Sequence, residues 1–163
     1  MAKQKIDLMV HRPHILVSDH EKAFEVYRDI LGFTVGRIAD ALSVTYDMFG
    51  CDESKTKLRV GFLSDSKTKF GAIAITEVKG QPIPKPQPPY AMNIIVEVGL
   101  NVLEDKVAQF KAAGLYASEP YVIIEPPPAR TDYVVCDHDG HRICLFAMHS
   151  HEEGRTVNVK DPA

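Results

Sequence analysis

Histidine and cysteine, two residue types that carry chemistry in enzymes, occur in apolar runs of this sequence. His14 stands in the first run, and an imidazole that titrates near neutral pH suits metal binding or general base catalysis. Cys144 stands in the last run, and its thiol becomes a reactive thiolate only beside positive charge. The structural alternatives are a histidine bonded to a backbone carbonyl and a buried cysteine acting as a small hydrophobe. The residues alone favour these alternatives.

Cys144 belongs to a segment that has the pattern of a β-hairpin. The β-favouring runs 133–136 and 142–146 flank a short Asp/Gly turn, in which Gly140 can adopt a positive φ angle. Histidines in this turn and in the C-terminal tail are expected to be solvated, namely His138, His141, His149 and His151.

The first half of the chain predicts a strand, a helix and then further strands. The strand covers 11–17, and the helix covers 19–31, with Ser18 and Glu21 at the spacing of a capping box. The segment 39–49 fits either a short helix or a strand, and we favour the helix because Gly50 can terminate it. Later strands are predicted over 58–63 and 70–78.

The second half repeats this order. A strand over 93–98 leads to a helix over 102–113, with Asn101 at its start, and a strand over 121–124 precedes the hairpin. The predicted organisation is a loose arm (1–9), a first module (10–79), a proline-rich linker (80–90), a second module (91–148) and a polar tail (149–163).

Composition excludes several classes of function. A formal net charge of −3 over 163 residues gives no electrostatic reason to bind nucleic acid or anionic membranes. No apolar run approaches the ~20 residues that span a bilayer, and the N-terminus lacks the features of a secretory signal. Three cysteines do not make an even disulfide framework, so we expect a cytoplasmic protein.

Four stretches resemble the vicinal oxygen chelate superfamily, which contains glyoxalase I, extradiol dioxygenases, and fosfomycin and bleomycin resistance proteins. They are His14-Ile-Leu-Val-Ser-Asp19, Phe24-Glu-Val-Tyr27, Leu31-Gly-Phe33 and Asp137-His-Asp-Gly-His-Arg-Ile143. The resemblance covers about residues 10–148 and implies an α+β fold. In it, two βαβββ modules form a curved mixed sheet around a cavity, often in a homodimer.

The resemblance also implies four positions for the ligands of a divalent metal. They fall on Arg12, Glu77, Asn93 and Cys144, and only Glu77 matches the usual residue type. Arginine stays protonated and has no lone pair to donate, whereas a carboxamide is a poor ligand for most metals. We therefore favour no metal; the alternative is a rearranged site of His14, Glu77 and Cys144 that holds Zn, Fe, Mn or Ni.

The function expected from this resemblance is binding of a small organic anion in the cavity. Arg12 would bind the anion, with His14, Asn93 and Cys144 as further contacts. A structural ion pair of Arg12 with Glu77 is the alternative, and the two roles do not exclude each other. The alternative is an enzyme: a lyase, isomerase or dioxygenase with the rearranged metal site, or a metal-free one that uses His14 and Glu77 as acid–base groups. Bleomycin-type sequestration of a cationic drug is disfavoured because the protein is only mildly acidic.

Overall fold

The described residues form two βαβββ repeats, as the sequence predicts. The computed structural model describes residues 12–65, 71–90, 92–124 and 128–149. The predicted arm (1–9) and residues 150–163 of the predicted tail lie outside this part of the chain. Where the chain is described, no helix is both long and apolar enough to cross a membrane.

The first repeat contains four strands and an additional short helix. Its elements are β1 (His14–Val17), α1 (His20–Phe24) continued by a π-helical segment (Glu25–Ile30), β2 (Thr34–Asp40), α2 (Ser43–Phe49), β3 (Lys57–Ser64) and β4 (Ile73–Lys79). The second repeat consists of β5 (Ile94–Glu97), α3 (Leu100–Ala112), β6 (Tyr121–Ile123), β7 (Arg130–Cys136) and β8 (Arg142–Met148).

Each repeat contributes one four-stranded mixed sheet. The first sheet has the order β1-β4-β3-β2, and the second has the equivalent order β5-β8-β7-β6. In both, the first strand pairs in parallel with the last, and the remaining pairs are antiparallel. The identical topology confirms the predicted α+β fold of two βαβββ modules.

The ends of the helices differ in part from the predicted caps. At the start of α1, the backbone N–H of Glu21 donates to Asp19 Oδ1 over 2.8 Å, and the N–H of His20 donates to Glu77 Oε1 over 3.0 Å. Helix α3 begins at Leu100, so Asn101 lies inside it and is not its cap. The favoured helix within 39–49 is confirmed over its second half, and it ends at Gly50, whose φ of 64° is readily adopted without a Cβ.

The chain divides into two compact units that do not coincide with the repeats. Among the described residues, the first unit takes 12–21, 32–65 and 71–83, and the second takes 22–31, 84–90, 92–124 and 128–149. Most of the helix that follows β1 therefore belongs to the second unit.

The core of the second unit includes residues of that helix. Tyr27 of the π-helical segment and Phe110 of α3 are fully buried, together with Ile143 and Leu145 of β8. The Lys106 ammonium donates to the carbonyl of Ile30, which ties the end of the π-helical segment to α3.

In the first unit, α2 covers part of one face of the sheet. Tyr46 packs with Leu58 and Val78, and Phe49 lies against the same cluster. The Tyr46 hydroxyl accepts the backbone N–H of Leu58 over 3.1 Å. Tyr46 and Phe49 are therefore largely core residues.

Candidate functional site

Strand pairing in the first sheet decides which side chains share a face. His14 pairs with Ala74 in parallel, and Ala74 pairs with Phe62, so these three form one row across the sheet. Because side chains alternate along a strand, Arg12 and Thr76 lie on the same side. We call this side the His14 face, and the opposite side, which carries Glu77, the Glu77 face.

The surroundings of Arg12 suit the binding of an anion. Its guanidinium carbon lies 4.7 Å from the centre of the Phe62 ring, which orients the planar group by a cation–π contact. A Cβ at Gly71 would lie 2.9 Å from Arg12 Nη1, so the glycine leaves the space that the guanidinium uses. No carboxylate of the described residues forms an ion pair with Arg12. Its charge therefore remains available to an anion.

His14 lies beside Arg12 and is held in its neutral form. Burial, and then the positive charge of Arg12, lower the pKa of His14 below its ordinary value. Its ring is tilted against that of Phe49, with the centroids 6.2 Å apart. His14 Nδ1 is buried and has no hydrogen-bond partner in the described part of the chain. A buried nitrogen in this state is costly unless a bound molecule satisfies it.

Thr76 is a member of this face that sequence reasoning missed. The residue is completely buried, and its Oγ1 also has no hydrogen-bond partner within the described ranges. A polar side chain in the apolar run 73–78 was the available signal, but the pairing register was needed to place it beside His14. As far as the chain is described, the His14 face thus carries one unpaired cation and two unsatisfied polar atoms.

Glu77 is directed away from these groups. Val17 pairs with Glu77, so the carboxylate lies on the Glu77 face, where it accepts from His20 N–H and pairs with Lys79 Nζ at 3.0 Å. Burial opposes its charged form, but these two donors outweigh burial and lower the pKa of Glu77. The alternative of an ion pair with Arg12 is wrong. His14 and Glu77 also cannot act together as acid and base, since the sheet separates them.

The second unit holds the other two expected contact residues. Asn93 immediately precedes β5 and is exposed. Cys144 is half-buried in β8, between Ile95 of β5 and Val134 of β7. Burial, and then the charge of Asp132, raise the pKa of Cys144 despite the opposing charge of Arg130. Cys144 is therefore a neutral thiol near pH 7, which does not favour a role as nucleophile.

The divalent metal that the resemblance implies does not fit these residues. Arg12 cannot ligate a cation, and Glu77 binds the start of a helix on the opposite face from His14. No group of three His, Cys, Asp or Glu side chains within the described ranges could hold a metal ion. The rearranged set of His14, Glu77 and Cys144 is not assembled either, because the first two lie on opposite faces.

The histidines expected to be solvated behave differently from one another. His138 is exposed and contacts Glu25 Oε2 at 2.8 Å. His141 is half-buried, with Nδ1 2.9 Å from Asp137 Oδ2, and His149 is buried against Thr131 Oγ1 at 2.7 Å. The expectation is wrong for His141 and His149 because buried polar partners hold them. His151 lies outside the described residues.

A surface cavity of about 330 Å³ lies elsewhere in the first unit. Its lining consists of Glu53, Ser54, Lys55, Thr56, Lys57, Lys79 and Gly80. Two of its three lysines are already neutralised, Lys79 by Glu77 at 3.0 Å and Lys55 by Asp52 at 2.8 Å. This cavity is therefore a weaker candidate for an anion site than the His14 face.

Comparison with known proteins gives one family and a consistent fold. The model of the Glyoxalase/Bleomycin resistance protein/Dioxygenase superfamily matches residues 9–145. No curated protein matches the sequence. A glyoxalase family protein from Bacillus cereus superposes with a TM-score of 0.69 at 14% identity, covering 91% of this chain and 98% of that chain.

Two further solved structures carry functional names. The fosfomycin resistance protein FosX from Listeria monocytogenes, solved with Mn(II) and a sulfate ion, has a TM-score of 0.54 at 15% identity and covers 88% of this chain and 93% of its own. The trypanothione-dependent glyoxalase I of Leishmania major has a TM-score of 0.57 at 19% identity and covers 85% and 86%. At these identities the similarity establishes the fold alone.

Proposed function

The chain belongs to the Glyoxalase/Bleomycin resistance protein/Dioxygenase superfamily, and we propose that it binds a small organic anion on the His14 face without the usual metal. The observation that carries this proposal is Arg12, a cation stacked on Phe62 that no described carboxylate neutralises. A planar guanidinium held in place can donate two parallel hydrogen bonds to a carboxylate or phosphonate.

His14 and Thr76 support the proposal by adding specificity. On the face that Arg12 shares, each presents a buried polar atom that no described residue satisfies. A ligand that carries a hydroxyl or carbonyl beside its anionic group would satisfy these atoms as Arg12 binds the charge. A plain apolar molecule would leave both unsatisfied and would bind more weakly.

Arg12→Ala tests this function directly. Small carboxylates and phosphonates, each beside its neutral amide, would be titrated while the ring signals of His14 are followed by NMR. We expect saturable shifts with an anion, abolished in Arg12→Ala and retained in Arg37→Ala, which removes an exposed arginine of β2. Equal shifts from an anion and its amide, or a full response in Arg12→Ala, would remove the basis of the proposal.

The alternative is an enzyme, a lyase, isomerase or dioxygenase, whose divalent metal would use ligands other than the full set of His14, Glu77 and Cys144. The observation that favours it is His14, which is held neutral and has an unpartnered nitrogen. Dialysed protein would be analysed by inductively coupled plasma mass spectrometry, before and after incubation with Zn, Fe, Mn or Ni. Near-stoichiometric metal that disappears in His14→Ala would replace the metal-free proposal with this one.

We also propose a homodimer in the cytoplasm. Val44 and Met48, four residues apart on α2, are 61% and 60% exposed, and the preceding Leu42 is 73% exposed. Apolar side chains grouped in this way are typical of a contact surface. Sedimentation velocity at micromolar concentration is expected to show a dimer that Val44→Glu dissociates, and a wild-type monomer would contradict this. The three free cysteines fit a reducing compartment.

A further inference from the structure

A second arginine, Arg142 at the start of β8, is fixed by aromatic rings in the second unit. Its guanidinium carbon lies 4.5 Å from the ring centre of Tyr90 and 5.3 Å from that of Tyr116. Arg142 Nη2 also donates to the Tyr90 hydroxyl over 3.1 Å. These contacts restrict the side chain, so little conformational entropy remains to be lost when a ligand binds.

Arg142 has an unused capacity for hydrogen bonding. No described carboxylate forms an ion pair with it, and its buried Nε has no hydrogen-bond acceptor among the described residues. A buried charged donor without a partner is among the more costly features that a folded protein retains. An oxyanion at this guanidinium would neutralise the charge.

The surrounding face of the second sheet does not supply that negative charge. Cys136 lies directly opposite Arg142, and Cys144 lies two residues further along the strand. Burial raises the pKa of the Cys136 thiol, as it does that of Cys144, so both remain neutral near pH 7.

The acidic groups on the same face lie at its other end. Asp132 pairs with Phe146, four residues from Arg142 at about 3.4 Å each, and it is bound by Arg130 Nε at 3.0 Å. Glu97 also pairs with Phe146 and is exposed. The carboxylate nearest the Arg142 end is Asp137 of the hairpin turn, whose charge acts on Cys136 but which is bound by Tyr27 and His141.

We propose that Arg142, Tyr90 and Tyr116 form a second anion site, which takes a carboxylate carried on a flat apolar body. The guanidinium binds the carboxylate, and the body lies along the apolar surface of the same face. Ile95 of that face is 69% exposed, and Val134 is half-buried. The site goes beyond the proposed function because neither Arg12 nor His14 takes part in it.

Benzoate and its neutral counterpart benzamide are the probes that test this site. The Nε–H of Arg142 would be followed in proton–nitrogen NMR spectra of labelled full-length protein and assigned by its loss in Arg142→Lys. We expect benzoate to shift this signal saturably in the millimolar range, and benzamide to leave it unchanged. No shift with benzoate, or the same shift with benzamide, would overturn the proposal.

Exposed tyrosines provide a matched pair of variants that should not disturb folding. Tyr116 is 52% exposed and Tyr121 is 58% exposed, but Tyr121 pairs with Asp132, at the far end of the face. Tyr116→Ala is expected to weaken benzoate binding by about tenfold, whereas Tyr121→Ala should not change it. Equal effects of the two substitutions would contradict the site.

Arg12→Ala separates this site from the one on the His14 face. The shift of the Arg142 Nε–H signal by benzoate is expected to persist in Arg12→Ala. Arg142→Lys lacks this signal, so its response to benzoate is followed through the ring signals of Tyr90 and Tyr116 and is expected to be absent. Loss of the response in Arg12→Ala would show that there is no independent second site. Retention in Arg142→Lys would show that the arginine does not bind the probe.

Discussion

Tyr27 donates its hydroxyl hydrogen to Asp137 Oδ2 over 3.0 Å, joining residues 110 positions apart in the sequence. Asp137 is buried at the hairpin turn and also accepts the backbone N–H groups of Asp139 and His141. One carboxylate therefore both shapes the turn between β7 and β8 and holds the π-helical segment of the same unit.

Tyr27→Phe is expected to destabilise the protein by about 1.5–3 kcal/mol, because it leaves a buried carboxylate with one donor fewer. Burial, and then the charge of Asp137, raise the pKa of Tyr27 well above its ordinary value, so the hydroxyl is a donor throughout the accessible pH range. Urea unfolding measures the loss. Tyr121→Phe, at an exposed hydroxyl, serves as control, and equal effects of the two would contradict the role of Asp137.

His141 is expected to stabilise the fold below neutral pH and to lose this contribution as pH rises. Burial opposes its protonated form, but the hydrogen bond and charge of Asp137 outweigh burial and raise the pKa of His141 above 6.5. The folded state therefore holds this proton more tightly than the unfolded state. The stabilisation of the folded state by His141 is complete below pH 6.5 and is lost as the pH rises through the raised pKa. Unfolding free energies of His141→Gln across this range should lack that decline.

His14 should have the opposite dependence. Its lowered pKa means that the unfolded state holds the proton more tightly, so stability is present above pH 6.5 and falls as the pH drops through the lowered pKa. His14→Gln is expected to lessen the loss of stability on the acid side. A wild-type protein whose His14 titrates at its ordinary value by NMR would contradict the burial described above.

Glu77→Gln is expected to cost about 1–3 kcal/mol, since the first N–H of α1 and the Lys79 ammonium both lose a charged acceptor. The lowered pKa of Glu77 adds a dependence on pH: its contribution is present above the ordinary pKa and is lost as pH falls through the lowered one. Glu97→Gln, an exposed glutamate of β5, is the control. If Glu77→Gln lost anion binding without losing stability, this would contradict the structural role and show that Glu77 takes part in binding.

Gly71→Ala is expected to impair both stability and anion binding. The φ of Gly71 is +91°, and a Cβ would lie 2.9 Å from Arg12 Nη1 and 3.1 Å from the Leu63 carbonyl. We expect a loss of about 1–2 kcal/mol from the backbone. Displacement of Arg12 would also weaken the response of His14 to anions. Gly36→Ala, at a negative φ with 3.4 Å to its nearest contact, is the comparison.

Local sequence patterns predicted most of the fold. The alternating hairpin strands, the termination of α2 at Gly50 and the repeated order of elements each depend on residues close in sequence. The start of α3 was misplaced by two residues because Asn101 is as suitable for a cap as for the first turn.

The candidate site was less predictable because it depends on pairing between distant strands. Alternation shows that Thr76 and Glu77 point in opposite directions, but only the register of β1 against β4 shows which of them shares a face with His14. The contacts of Arg142 with Tyr90 and Tyr116 likewise join separate parts of the chain.

The assignment of residues 22–31 to the second unit limits how this protein can be divided. A polypeptide cut at the proline-rich segment would carry that helix on its N-terminal fragment, apart from Asp137 and Lys106, to which Tyr27 and Ile30 are bonded. The fragments would therefore be expected to complement each other when mixed, and neither would be a self-sufficient module. Recombination that exchanged one repeat would have to preserve the contacts of this helix with the other.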